Sequence, residues 1–418
     1  MEEWGQNEPL TRRIKDLLKA YTDGFSVPKE IIQNADDASA TKVCFMYDER
    51  ENDSYGKKLL DKNMMECQGP ALWAYNNKKF TSEDLVNITK VSGATKEADT
   101  TKIGKFGLGF CSVYNLTEVP SFLTGDQMVI FDPHYEYIGD GLRRKKQPGL
   151  KIDLQRNIKI LEQKSSQFEP FNNVFGCNLN VQQDVISFNG TLFRLPLRTK
   201  KQAATSEISN IPYDQEQMSS LIKIFVEAGG NLLLFTQNVT DIEFYHLPRN
   251  EKDPKNAVLL YSVTRETIRT IERPMCKSST QNRFSVLKDF AINLERIKKG
   301  EIKDLTEVHS SILMRIQIEV GSNLSNFRTS GRSSTTSWFI TWASGTDRSK
   351  RMALESSVKG LLPLASVACP VEMLDDEHFQ TCHLNQLPFG FYNSGHVFCY
   401  LPLPVETMFP VHINGRLQ

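Results

Sequence analysis

The run Ile103-Gly104-Lys-Phe-Gly107-Leu-Gly109-Phe110-Cys-Ser112 constrains this chain more than any other stretch. Glycine has no Cβ, so closely spaced glycines let the backbone take positive φ and pass near a ligand. A helix restarting near Phe110 and ending by Thr117 would point its free N–H groups back at an anion held by the loop. Taken alone, such a run is better read as a flexible hinge or an ordinary turn. Its weight comes from what stands around it.

Upstream lies Glu30-Ile-Ile-Gln-Asn34-Ala-Asp-Asp37. The spacing predicts a helix from about Ser26 to Ala38, with Pro28 in its first turn and a buried stripe of Val27, Ile31, Ile32 and Ala35. Positions i and i+4 share a helix face. Glu30 and Asn34 therefore point the same way, with Asp37 one turn further on. An acid beside an amide can set up a water and a metal ion, and magnesium takes oxygen ligands from few protein groups plus phosphates. On its own this motif is also a solvated polar face. Ser92-Gly-Ala-Thr-Lys96 is a short basic turn that fits a nucleotide lid, and Gly190-Thr191 opens the strand Leu192-Phe-Arg-Leu195.

Around these stretches, residues 8–21 read as an amphipathic helix, and 41–47, 71–75, 127–131 and 190–197 as strands. Thr81-Ser-Glu-Asp84 resembles a capping box that opens a helix through Leu85 and Ile88. Met218, Leu221, Ile222 and Phe225 give a helix over 215–228, ended by Gly229-Gly230. Leu232-Leu-Leu-Phe235 then begins a strand-rich half. A hairpin over 239–263, with its polar turn at 248–256, sets a boundary near 236. Residues 139–180 are weakly patterned, and 323–336 read as an exposed loop.

With 418 residues the chain has room for two or three domains. Its formal net charge of zero argues against a globally basic nucleic-acid surface. The apolar runs are far too short for a helical membrane span, and Met1-Glu-Glu-Trp-Gly has no apolar secretory region. The eight cysteines form no Cys-x-x-Cys pair, which favours free thiols in a reducing, cytosolic setting. The last residues, Val411 to Gln418, suggest a piece cut from something longer.

Order and spacing together resemble the GHKL group: the ninety-kilodalton heat-shock chaperones, DNA gyrase B, histidine kinases and MutL. Glu30 with Asn34 is similar to its first box, Thr81 to Ser92 to the helix after its second, Gly104 to Ser112 to its phosphate box, and Gly190-Thr191 to its closing strand. The resemblance implies an α+β chain, with a GHKL-type (Bergerat) α/β sandwich over 1–235 and a mixed α/β middle-type domain over 236–418. It also implies ATP or ADP with magnesium as cofactors. Glu30 would be the general base and Asn34 the magnesium ligand. Asp37, Asn76, Ser92, Lys96, Gly104, Gly107, Gly109, Phe110 and Thr191 would contact the nucleotide.

A narrower resemblance is to the repeated regions of the sacsin family. It is carried by Glu30-Ile-Ile-Gln-Asn-Ala-Asp-Asp-Ala-Ser-Ala-Thr41, Gly69-Pro-Ala-Leu, Tyr75-Asn-Asn77, Gly125-Asp-Gln, Asp132-Pro-His134 and Leu401-Pro-Leu-Pro-Val-Glu. It implies a region of a very large cytosolic chaperone-related protein. Its partners would be chaperone clients or other parts of the parent. Links to the seventy-kilodalton chaperone and the proteasome would lie in the parent's other modules.

The pattern breaks at the second GHKL box. That box reads Asp-x-Gly-x-Gly in the family, where the aspartate accepts a hydrogen bond from the adenine amino group. Here the stretch is Tyr75-Asn-Asn-Lys-Lys79, and the aspartate position falls on Tyr75, or on Asn76 if the register slips by one. Losing a hydrogen bond to a charged group, about 1.5–3 kcal/mol, would weaken adenine binding roughly 10- to 150-fold. The second half offers Arg328, Arg332, Arg348 and Arg351 for the γ-phosphate arginine that heat-shock chaperones supply. His396, His412, Trp338 and Trp342 read as structural.

Three functions follow as expectations. The first is a chaperone-type module binding ATP or ADP with magnesium, with weak or conditional hydrolysis. The second is a nucleotide-independent GHKL scaffold for protein interaction, its pocket blocked by Tyr75 or the 92–109 loop. The third, more remote, is a DNA-linked ATPase of the gyrase or MutL type.

Overall fold

The helix stripes read from the sequence are surfaces the chain buries. α1 (Leu10–Leu18) buries Ile14 and Leu18, and α2 (Ser26–Asp37) buries Val27, Ile31, Ile32 and Ala35. Pro28 lies in the first turn of α2, where its missing N–H breaks no helical bond. α2 stops where Ser39 takes a left-handed backbone (φ 61°) and the Ala40 N–H turns back to the Ala35 carbonyl at 2.9 Å. The structure, a computed structural model, describes residues 8–19, 25–51, 58–89, 109–139, 147–179, 186–271, 292–294, 296–301, 309–321, 332–345, 347–355, 363–375, 378–382, 395–399, 401–407 and 409–415.

The chain divides into two units. The first holds the strands β1 (Lys42–Asp48), β2 (Ala71–Asn76), β3 (Ser121–Gly125), β4 (Gln127–Phe131), β5 (Gly149–Asp153), β6 (Phe188–Pro196) and β7 (Asp241–Leu247, from Ile242). They lie in the order β7-β1-β2-β6-β3-β4-β5. The pairs β1–β2, β2–β6, β6–β3, β3–β4 and β4–β5 are antiparallel. α3 (Ser82–Asn87) opens with the expected capping box. The Thr81 hydroxyl accepts the Asp84 N–H at 3.2 Å, and the Asp84 carboxylate accepts the Thr81 N–H at 2.9 Å.

Side chains alternate across a strand, so the registers sort this sheet into two faces. Met46, Trp73, Leu123, Met128, Ile130 and Leu192 point into one core. The weakly patterned stretch after residue 147 covers that core. It folds as β5, the helices Ile158–Gln163 and Ser165–Phe168, and 3-10 turns, and it contributes Leu161, Phe168 and Phe171. The Phe171 ring meets Trp73 edge-on at 5.0 Å. On the opposite face stand Phe45, Ala74, Asn76, Thr191, Phe193, Phe122 and Phe131, by the same pairings.

The second unit takes Phe225–Asp241 and the chain from Tyr261. Its strands are β8 (Val258–Ile271, from Tyr261), β9 (His309–Val320), β10 (Arg332–Ser344), β11 (Leu364–Met373), β12 (Phe379–Thr381), β13 (His396–Cys399), β14 (Leu401–Glu406) and β15 (His412–Gly415). The order is β14-β13-β15-β11-β10-β9-β8, with β12 on β11. Trp338 and Trp342 are buried, and His412 stacks on Trp338 at 5.3 Å. Burial pushes His412 down to about 3, so it is a neutral packing group whose Nδ1 accepts the His396 N–H at 2.9 Å.

One local expectation is corrected here. Helix Gln215–Ala228 buries Met218, Leu221, Ile222 and Phe225 as its period requires. Gly229, left-handed at φ 53°, ends the α-helix as expected, but the strand expected next does not follow. The chain passes into a 3-10 helix, Gly229–Leu233, and residues 232–235 form no strand. A Cβ on Gly230 would lie 2.8 Å from Ile316 Cγ2, so this glycine serves close packing on β9. Arg265, itself buried, donates to the Leu233 and Thr236 carbonyls at 3.0 and 2.6 Å, satisfying groups at the end of that helix. The architecture is α+β, with mainly antiparallel sheet. Among the described residues, no helix is long and apolar enough to cross a membrane.

Candidate functional site

Glu30, Asn34 and Asp37 lie half-buried along α2. Gly109, the last glycine of the run, is packed directly on the first of them. A Cβ added to Gly109 would stand 1.9 Å from Glu30 Oε2. The absence of a side chain is therefore what lets backbone and carboxylate share this space. Gly109 leads into the 3-10 helix Phe110–Asn115, closed by Ser112 N–H to Gly109 O and Leu116 N–H to Val113 O, both 2.9 Å. Nothing in the residue pattern distinguishes this tighter winding from an α-helix.

Phe110 fixes which side of the sheet this layer covers. Its ring lies 5.6 Å from Phe131 and 6.1 Å from Phe193, both on the face that also carries Asn76 and Thr191. Tyr75 projects the other way. It stacks on Phe175 at 5.6 Å and meets Phe188 edge-on at 5.7 Å, against the opposite core. Of the two residues that the aligned box offers, Asn76 is thus the one on the face of Phe110. Asn76 and Thr191 are direct cross-strand partners.

Their neighbourhood is tightly hydrogen-bonded. The Thr191 hydroxyl donates to Lys78 O at 2.8 Å and lies 2.9 Å from the Thr124 hydroxyl, which accepts the Phe80 N–H at 2.9 Å. Asn76 Oδ1 accepts the Lys78 N–H at 3.0 Å. Asn77 Oδ1 accepts the N–H groups of Thr41 and Lys42 at 2.9 and 3.3 Å, and its Nδ2 donates to Thr41 Oγ1 at 2.8 Å. Gly190, at φ 144°, runs so close to β2 that a Cβ would meet Asn76 O at 2.5 Å.

A buried ionic cluster, not foreseen from the sequence, anchors the far end of the 3-10 helix. Arg198 is 1% exposed. Its guanidinium donates to the carbonyls of Tyr114, Asn115 (3.1 Å) and Ile211 (3.2 Å), and its Nε to Glu118. The other Glu118 oxygen bonds His134 Nε2 at 2.5 Å. Burial pushes Glu118 up, but His134 and Arg198 outweigh it and hold the carboxyl below its ordinary range. Burial pulls His134 down, and Glu118, aided by Glu136 and Asp132, pulls it above the ordinary histidine value. The Asp132-Pro-His134 motif thus acquires a role: Asp132 accepts the Tyr137 and Ile138 N–H groups at 2.7 and 3.1 Å and shapes the turn that presents His134.

Ser92, Lys96, Gly104, Gly107 and Arg328 lie outside the described residues, as does the side chain of Arg332. Arg348 and Arg351 are exposed on helix Asp347–Glu355. No group of three or more His, Cys, Asp or Glu side chains is placed to hold a metal among the described residues. A magnesium ion held by one amide and by phosphate oxygens needs no such group.

Comparison with known proteins adds to this geometry. The family profile described as Sacsin domain matches residues 7–259. Human sacsin is 34% identical over 454 aligned residues, covering 99% of this chain. The chain spans 10% of the length of that relative.

Proposed function

Because the chain belongs to the Sacsin domain family, we propose that its first unit is a GHKL-type module that binds ATP or ADP with magnesium and hydrolyses ATP weakly or conditionally, as part of a cytosolic chaperone-related protein. The observation that carries this reading is the contact of Gly109 with Glu30. It joins the two motifs of the sequence that bear on phosphate chemistry, which lie far apart in the chain. A carboxylate beside a backbone approach bare of side chains suits a water held near a terminal phosphate.

In this reading Glu30 accepts the proton of the attacking water. Asn34 offers an amide oxygen to magnesium, and Asp37 lies one turn beyond. Gly109 and the N–H groups at the start of the 3-10 helix face the phosphates, while Phe110 seats that helix on the sheet. Bound magnesium would neutralise phosphate charge. Asn76 and Thr191 line the base end. The donor set fits: amide and carboxylate oxygens at one end, and amide and hydroxyl groups at the other.

Phosphate release from ATP by the chain and by Glu30→Ala tests the reading. Glu30→Ala is expected to retain nucleotide and lose release. Release that is unchanged by the substitution would remove Glu30 from the proposed role.

A further inference from the structure

We infer that Arg198 is a positioning residue for the phosphate end of this site. By gathering the carbonyls at the far end of the 3-10 helix Phe110–Asn115, it sets how closely the Gly109 backbone meets the Glu30 carboxylate. The inference rests on the nucleotide-binding reading above and names what holds the spacing at that same site.

The 3-10 helix cannot set its own position. It is six residues long, and its winding has poorer hydrogen-bond geometry than an α-helix. At its start Gly109 has no side chain to lock into a neighbour, and the group it meets is the tip of a carboxylate. The last carbonyls of a helix have no partner within it. Here one residue takes four in succession. The Arg198 guanidinium donates to Tyr114 O, to Asn115 O at 3.1 Å and to Thr117 O at 3.4 Å, and the Arg198 backbone N–H donates to Leu116 O at 2.7 Å. The Nε of the same side chain donates to Glu118, so residues 114–118 close around a single guanidinium.

What happens at that end is felt at the other. Phe110 to Tyr114 are all buried, and the helix packs on α1, on α2 and, through Phe110, on the sheet. Interiors packed this closely transmit a displacement instead of absorbing it. At about 2 Å per residue, the stretch from Gly109 to Asn115 spans about 12 Å. A Cβ on Gly109 would stand 1.9 Å from Glu30 Oε2, so the approach has no slack. A misplacement of about 1 Å at a reacting centre costs on the order of 100-fold in rate. The role needs arginine in particular. A guanidinium offers a planar fork of donors that reaches several carbonyls at once, whereas an ammonium is a point charge.

The test compares the natural chain with Arg198→Lys, Arg198→Gln and His134→Gln at a temperature where each is folded. The readouts are kcat and KM for phosphate release from magnesium-ATP, and the Gly109 amide signal in chains labelled with 15N-glycine. Lysine keeps a charge opposite Glu118 but loses the fork. Glutamine loses both and leaves Glu118 to His134. His134→Gln changes the cluster but leaves Arg198 on its carbonyls. In both Arg198 variants kcat is expected to fall about tenfold or more, with KM within about twofold of the natural value. The Gly109 signal is expected to move with it. His134→Gln is expected to keep the natural kcat and the natural Gly109 signal, even where its thermal midpoint is lower. A folded Arg198 variant with natural kcat overturns the inference. So does a kcat that simply follows the thermal midpoint across the three variants. Failure of both Arg198 variants to fold also overturns it, since Arg198 would then serve the fold and not the spacing of the site. A natural chain that neither binds nucleotide nor releases phosphate overturns the reading above. The Gly109 signal, which needs no nucleotide, still decides whether Arg198 places that backbone, and an unmoved signal overturns this as well.

Discussion

The two glycines that border the candidate site, Gly109 and Gly190, are alike in having no room for a side chain and unlike in what occupies the room. At Gly109 the obstacle is the carboxylate tip of Glu30. At Gly190 it is the backbone oxygen of Asn76 together with the Tyr75 ring, and the glycine itself stands at φ 144°. A carboxylate tip can swing aside, whereas a strand carbonyl cannot. At Gly109 the close approach is thus a soft contact between a glycine and a carboxylate, and at Gly190 it is a rigid sheet contact in which a glycine permits strand pairing. Substitution is expected to harm chemistry at the first and the fold at the second.

The largest effect expected bears on what holds the soft end in place. Arg198→Met strips Glu118 of one of its two buried partners and takes a guanidinium donor from the carbonyls of Tyr114 and Asn115. Breaking one side of a buried ion pair costs about 3–5 kcal/mol. Urea unfolding reads this directly, and a loss below about 1 kcal/mol would mean the cluster is not an anchor.

Next comes the contrast between the two glycines. Gly190→Ala is expected to cost about 2 kcal/mol or more, from overpacking against backbone added to an unfavourable φ. Gly109→Ala is expected to stay within about 1 kcal/mol of the natural chain, yet to reduce phosphate release to the level of Glu30→Ala. Equal stability losses at the two positions would erase the distinction.

The smallest effect expected is a pH dependence at the anchor. His134 is raised above its ordinary value, so its contribution is complete below the ordinary histidine range and fades as pH rises through the raised native value. Glu118 is lowered, so its contribution holds above the ordinary carboxylate range and is lost in acid. The stability advantage of the natural chain over His134→Gln should therefore be greatest in mild acid and shrink toward alkaline pH. A pH-independent difference would show that His134 acts by packing alone.

Much of this fold was legible in the sequence where one local pattern sufficed. The stripe of α2, the Thr81–Asp84 cap and the core of helix Gln215–Ala228 each follow from residues within a turn or two of one another. Legibility stopped where geometry depended on distant partners. Tyr75 and Asn76 could not be told apart by alternation, because β2 is covered on both faces and only the ring contacts of Phe110 and Phe175 distinguish the faces. Arg198 reads as one more surface charge until residues some eighty positions earlier close around it. Leu232 to Phe235 looks like a strand because a short apolar run fits a buried strand and a buried coil equally well.

The central claim is that α2 and Gly109 form one end of a magnesium–nucleotide site. It is tested most directly by calorimetric titration of the chain with ADP, with and without magnesium, alongside Asn34→Ala. Magnesium-dependent binding that weakens at least about tenfold in a folded Asn34→Ala chain is the expected result. No binding at millimolar ADP, or binding indifferent to both magnesium and Asn34, would contradict it.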